Sequence, residues 1–97
     1  MALLEISVVP VGTGTASFSS YVDDAVKLIE KNGLNYQVTP TATVIEGDVP
    51  RLMELAMQIH QNAMSNGASR IITNICIDDR TDKQMDMLNQ VQAVRDE

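Results

Sequence analysis

The sequence predicts an α+β fold: a four-stranded antiparallel sheet with two helices on one face, and a further helix at the C-terminal end. Two observations carry that expectation. Short β-rich runs that alternate with period two are interleaved with longer runs whose apolar residues recur at helical spacing. The runs come in the order strand, helix, strand, strand, helix, strand, helix. At 97 residues the chain is read as a single domain spanning 1–97, enough for one hydrophobic core.

The first strand is Leu3 to Val9, where Leu4, Ile6 and Val8 alternate with Glu5 and Ser7. Pro10 ends it, and a Gly/Thr/Ser loop runs to about Ser17. A helix is predicted from about Ser19 to Asn32. Ser17 or Ser19 is its expected cap, Asp23 and Asp24 lie near its positive end, and Gly33 follows its last turn. Val22, Ala25, Val26 and Ile29 make its apolar stripe. Two short strands follow, Tyr36–Thr39 and Ala42–Glu46, with Pro40 marking a bulge or an edge between them.

Asp48 is the expected cap of a second helix, with Pro50 in its first turn. Its buried face is read as Leu52, Leu55, Ala56, Ile59 and Ala63. Asn66-Gly67 ends it. Arg70 to Ile77 is the fourth strand, with Ile71, Thr73, Ile75 and Ile77 on one face and Ile72, Asn74, Cys76 and Asp78 on the other. Thr81 and Gln84 then form a capping box that opens a terminal helix carrying Met85, Leu88, Val91 and Val94. The first six elements are two β-α-β units in the split order of ferredoxin-like folds. Such a sandwich leaves one sheet face bare. Here that face mixes Glu5, Ser7, Gln37 and Asn74 with Val9, Ile72 and Cys76, which predicts burial against another copy.

The composition excludes several function classes. Seven basic residues face thirteen acidic ones, a net charge of -6, so a phosphate backbone is repelled and no nucleic-acid partner is expected. A lone cysteine, Cys76, permits neither an internal disulfide nor a cysteine zinc cage, and no metal is expected. No apolar run approaches the ~20 residues of a membrane span. The first residues, with Glu5 and no basic cluster, do not read as a secretory signal, so a cytoplasmic setting without membrane insertion is expected.

The loop Gly12-Thr-Gly14-Thr-Ala-Ser17 is not a dinucleotide fingerprint, because Ser17 stands where the third glycine belongs and the lysine of a phosphate loop is missing. Its amides and hydroxyls still lie at a helix N-terminus, where polar ligand groups can bind. His60 is the only histidine and sits at the edge of an apolar stripe, which reads as packing. Met53, Met57, Met64, Met85 and Met87 read as helix-core or subunit-contact residues. The charges beside strands carry more. Glu46, Arg70, Asp78, Asp79 and Arg80 either pair, as in Glu46–Arg70, or hold a ligand amine or ring nitrogen.

The runs Ser17-Phe-Ser-Ser-Tyr-Val22, Pro40-Thr-Ala-Thr-Val-Ile-Glu-Gly47, Gly67-Ala-Ser-Arg70 and Ile77-Asp-Asp-Arg80 resemble the small thiamine-binding protein family. The resemblance runs from Leu3 to about Val94, with Ala42 where the family more commonly has glycine. It implies non-catalytic binding of thiamine or its hydroxymethylpyrimidine moiety, in carriage, uptake or sensing. It also implies dimers that pair into a homotetramer through stacked sheets. Carried over by position, the implied ligand residues are Ser17, Ser19, Thr43, Glu46, Asp79 and Arg80. Phe18 or Tyr36 would have to provide the ring contact. Hydroxyls and a carboxylate suit an aminopyrimidine, and acidic groups suit the thiazolium. No catalytic residue and no cofactor beyond that ligand are expected. The alternatives are a structural or regulatory oligomerisation module and a small serine hydrolase using His60.

Overall fold

The computed structural model describes residues 1–12 and 18–81, apart from the side chains of Phe18 and Ser19. The terminal helix, Met85, Met87 and most of the Gly/Thr/Ser loop with Ser17 therefore lie outside the described residues.

Six elements follow the expected order: β1 (Ala2–Pro10), α1 (Phe18–Lys31), β2 (Asn35–Val38), β3 (Thr43–Gly47), α2 (Val49–Met64) and β4 (Ile71–Asp78). The sheet runs β2-β3-β1-β4, and every neighbouring pair is antiparallel. Both helices lie on one face, α1 against β1 and β2 and α2 against β1, β3 and β4. This is the ferredoxin-like α/β sandwich that the element order predicts.

The core is the space between the layers. Leu4 and Ile6 from β1 and Ile45 from β3 point down into it; Ile29 from α1 and Leu52, Leu55, Ala56 and Ile59 from α2 meet them. Five of these, Leu4, Ile29, Ile45, Leu52 and Leu55, are at most 1% exposed. Each contributes roughly 1.5–3 kcal/mol by leaving water. All five residues of the predicted α2 face are buried, as its 3.6-residue spacing requires. A smaller cluster, Tyr21, Ala63 and Ala68, closes the other end, packed by Val8 and Ile71.

The local signals mostly act where they stand, with corrections. Gly33 and Gly67 take positive φ (71° and 96°) just past α1 and α2, which lets the chain turn back to a strand. Pro40 sits within the β2–β3 turn, where Thr39 N–H donates to Ala42 C=O at 2.8 Å; it is a turn proline and makes no bulge. Asp48 is the N-cap of α2, but its side chain makes no capping bond. α1 starts at Phe18, so Asp23 and Asp24 fall beyond the first turn, and Asp24 instead accepts a bond from Asn66 Nδ2 at 2.6 Å. The α1 stripe is centred on Tyr21, Ala25 and Ile29, with Val22 and Val26 only half-buried. Met53, Met57 and Met64 are exposed on α2 and take no part in the core. On β4, Ile71 and Thr73 are half-buried, but Ile75 and Ile77 remain exposed on the helix face.

Candidate functional site

Strand lengths create the site. β3 starts at Thr43, which is paired with Ile6, whereas β1 continues four residues further to Pro10. Past the Ile6–Thr43 pair, β1 therefore has β4 on one side and, among the described residues, no strand on the other. The gap is a notch, closed on one side by the β2–β3 turn and roofed by α1. Its interior leaves about 30 Å³ for the centre of a water-sized sphere, and the roughly 400 Å³ of empty space around that includes the open mouth.

Its lining has two characters. Ile6, Val8, Val22, Ala25, Pro40 and Ile59 supply apolar walls. Tyr21, Thr39, Thr41 and Thr43 add polar residues to the same lining, while Ser7 borders it with its side chain on the open sheet face. Two of these are buried: Thr43 is 5% exposed and Tyr21 is 4% exposed. The Tyr21 hydroxyl is buried and has no hydrogen-bond partner among the described residues, and a buried polar group left unpaired costs roughly 1–3 kcal/mol. Thr39 is committed to the turn, since its Oγ1 donates to Ala42 C=O at 2.8 Å.

The backbone adds a further pair of groups. Val11 N–H donates to Arg70 C=O at 2.9 Å, which fixes the hydrogen-bonding phase of the β1–β4 ladder. Ser7 and Val9 then turn their amides toward β4, and Val8 turns its N–H and C=O the other way, into the notch. The β1–β3 register ends before Val8, so among the described residues no strand pairs with them.

The residues implied at the sequence level divide between two places. Thr43 lines the notch. Ser19 is in the first turn of α1, two residues before Tyr21, and its side chain is not described; Ser17 lies outside the described residues. Tyr36 packs half-buried against the core on β2, paired with Ile45, and is absent from the notch wall. Glu46 lies at the far end of β3, where Asn35 Nδ2 donates to its Oε1 at 3.3 Å. Leu3 pairs with Glu46 on one side and Asp78 on the other, so Glu46, Asp78 and the following Asp79 and Arg80 gather at the start of β1. That end is three residues, roughly 10 Å, from the Ile6–Thr43 pair.

The expected Glu46–Arg70 ion pair is not formed. Glu46 sits beside Leu3 and Arg70 beside Val11, eight residues apart along β1 or roughly 26 Å. His60 Nδ1 lies 2.7 Å from Thr73 Oγ1, so its described partner is a structural hydroxyl on β4. Sequence reasoning did not name Tyr21 among the residues that line the notch. The signal was present: Tyr21, Ala25 and Ile29 recur every four residues, which turns the phenol inward. Among the described residues no group of three His, Cys, Asp or Glu could hold a metal, and no helix is long and apolar enough to cross a membrane.

Comparison with known proteins agrees with this architecture. The protein YqgV of Bacillus subtilis, of the uncharacterised protein family 0045, is 37% identical, over 97% of this chain and 94% of its own. A protein of the same family from Staphylococcus xylosus is 43% identical, over 97% and 92%. The crystal structure of MJ1052 from Methanocaldococcus jannaschii superposes with a TM-score of 0.87 at 26% identity, covering 97% of this chain and 95% of that one. A Thermotoga maritima structure, TM0486, described as a candidate thiamine biosynthesis/salvage protein, superposes at 0.77 with 22% identity, covering 97% and 98%, a likeness of fold. The family model described as "Thiamine-binding protein" matches residues 4–95, nearly the whole chain, and with the shared fold this places the chain in the thiamine-binding protein family.

Proposed function

We propose that the protein binds thiamine, or its hydroxymethylpyrimidine moiety, in the notch between β1, the β2–β3 turn and α1, and releases it unchanged, in carriage, uptake or sensing. One observation carries the reading: a buried tyrosine hydroxyl, without a partner among the described residues, belongs to a residue that lines a cleft whose other buried polar side chain is Thr43. An aminopyrimidine presents two ring-nitrogen acceptors and an exocyclic amine. The Tyr21 hydroxyl can donate to a ring nitrogen and Thr43 can accept from the amine. The amide of Val8 offers one donor and one acceptor on the same wall, matching a ring edge as a neighbouring strand would. The apolar walls suit the flat faces of the ring. The thiazolium then lies toward the mouth, where an acidic protein of net charge -6 favours a cation.

Membership of a binding-protein family, together with a lone histidine whose partner is Thr73, supports a role without turnover. The dimer-of-dimers assembly and the cytoplasmic setting belong to the same proposal. A second reading, an assembly module without a ligand, draws on the exposed apolar side chains of α2 and β4.

Calorimetric titration with thiamine and with hydroxymethylpyrimidine separates the two. The proposal expects saturable heat from at least one of them, weakened three- to tenfold by Tyr21→Phe. No heat from either at millimolar concentration, on folded protein, overturns it.

A further inference from the structure

We infer that the outer face of α2 binds one soft monovalent cation, Cu(I) or its analogue Ag(I), through the thioethers of Met53 and Met57 and the imidazole of His60. The face lies apart from the notch, and the inference is independent of the ligand proposed there. Met53, Met57, His60 and Met64 follow one another along α2 at spacings of four, three and four. At roughly 100° per residue they fall within about 60° of arc, a second stripe flanking the one that packs on the sheet. Its methionines are not core residues: Met53, Met57 and Met64 stand 43%, 54% and 44% exposed.

Met53, Met57 and His60 line one open depression together with Ala56, Thr73 and Ile75. Ala56 makes the room. It is fully buried, and its short side chain leaves a floor between three longer ones. Along the helix axis Met53 and Met57 are about 6 Å apart and Met57 and His60 about 4.5 Å, and side chains at these spacings are neighbours that can converge on one atom. His60 is held as a metal ligand needs to be held. Its Nδ1 lies 2.7 Å from Thr73 Oγ1. With the Nδ1 proton donated to that hydroxyl, Nε2 carries the lone pair. An acceptor behind the ring is what fixes tautomer and orientation in metal sites.

The ligand set chooses the cation. Thioethers are soft and uncharged, and together with an imidazole they suit Cu(I), whereas Mg(II) and Ca(II) require oxygen ligands. Among the described residues no carboxylate lines the depression. The apolar wall at Ile75 limits water on the strand side. Met64, about one turn beyond His60, can add a further thioether. A net charge of -6 draws cations to the surface.

Anaerobic titration of the full chain tests the site, with Cu(I) supplied from its bicinchoninate complex and, separately, with silver nitrate in chloride-free buffer. A Cys76→Ser background removes the exposed thiol, which binds both ions by itself. One equivalent per chain is expected to bind, shifting the methyl resonances of Met53 and Met57 and the Nε2 resonance of His60 together. Met57→Leu is expected to weaken binding at least tenfold. Leucine keeps the apolar volume, so that loss reads the thioether and not the fold. Thr73 is a positioning residue: Thr73→Val is expected to weaken binding about tenfold and, in the metal-free protein, to erase the preference for a proton on Nδ1. Binding that Cys76→Ser abolishes overturns the inference, and so does binding that survives Met53→Leu and Met57→Leu together. Zn(II) bound more tightly than Cu(I) overturns the choice of cation. Unchanged affinity in Thr73→Val removes the positioning role. Hydroxymethylpyrimidine plays no part in these measurements, so failure of the notch leaves the inference standing, and the reverse.

Discussion

Thr43 and Glu46 stand three residues apart on β3 and face opposite sides of the sheet. Thr43 is buried under the helices, and Glu46 lies on the open face beside Asn35. Odd spacing along a strand forces that separation. One small heterocycle in the notch cannot meet both side chains of the same protomer. Thr43→Val is therefore expected to weaken hydroxymethylpyrimidine about three- to thirtyfold, as loss of one buried hydrogen bond does. Glu46→Gln is expected to change it by less than about twofold, below the effect of even a modest hydrogen bond. Calorimetric titration of both variants checks the pair. A large loss at Glu46 would place the ligand on the open face.

Tyr21→Phe separates binding from stability. Removing a buried hydroxyl that has no partner among the described residues relieves a desolvation penalty, so the free protein is expected to gain about 1 kcal/mol against urea. The same change is expected to lower ligand affinity. Opposite signs in the two measurements identify a group held ready for a ligand. A loss of stability would show that the hydroxyl has a structural partner in solution.

Much of this was legible in the sequence. The face of α2 reads directly from Leu52, Leu55, Ala56, Ile59 and Ala63, because a helix against a sheet buries one narrow stripe. The β2–β3 turn reads from Pro40-Thr41, and the helix ends from Gly33 and Gly67. The family motifs named Thr43, which lines the notch. The notch itself was not legible. It exists because β3 stops at Thr43 while β1 continues to Pro10, and where one strand stops against another is set by tertiary register. The division of Glu46 from Thr43 was legible in principle. Thr-Val-Ile-Glu-Gly alternates, so Thr43 and Ile45 share a face that Glu46 cannot. The Glu46–Arg70 pairing failed for the same reason as the notch: motif distance along the chain does not say which end of an antiparallel sheet a residue reaches.

Gly47 explains why β3 ends on glycine. Its φ is not positive, so turn freedom is not the reason. A Cβ built there would stand 3.3 Å from Leu52 Cδ2 and 3.5 Å from Leu34 Cδ2. Leu52 is fully buried and has little room to yield. Gly47→Ala is expected to cost about 1–3 kcal/mol by overpacking. Urea denaturation would show the midpoint falling at unchanged slope. A neutral result would mean that Leu52 repacks freely.

His60 and Thr73 tie α2 to β4 through one hydrogen bond of 2.7 Å, half-buried beside the exposed Met57. The donor is either the ring N–H or the hydroxyl, according to tautomer, so replacing one partner leaves the other seeking a bond. His60→Ala and Thr73→Val are each expected to cost about 0.5–1.5 kcal/mol, and the double variant less than their sum. A double-mutant cycle by urea denaturation measures that coupling. The same two variants remove the last support for a hydrolase. If His60 only packs, ester or amide turnover in any preparation stays as it was in the unaltered protein. Loss of turnover in His60→Ala, with stability corrected for, would return the histidine to a chemical role.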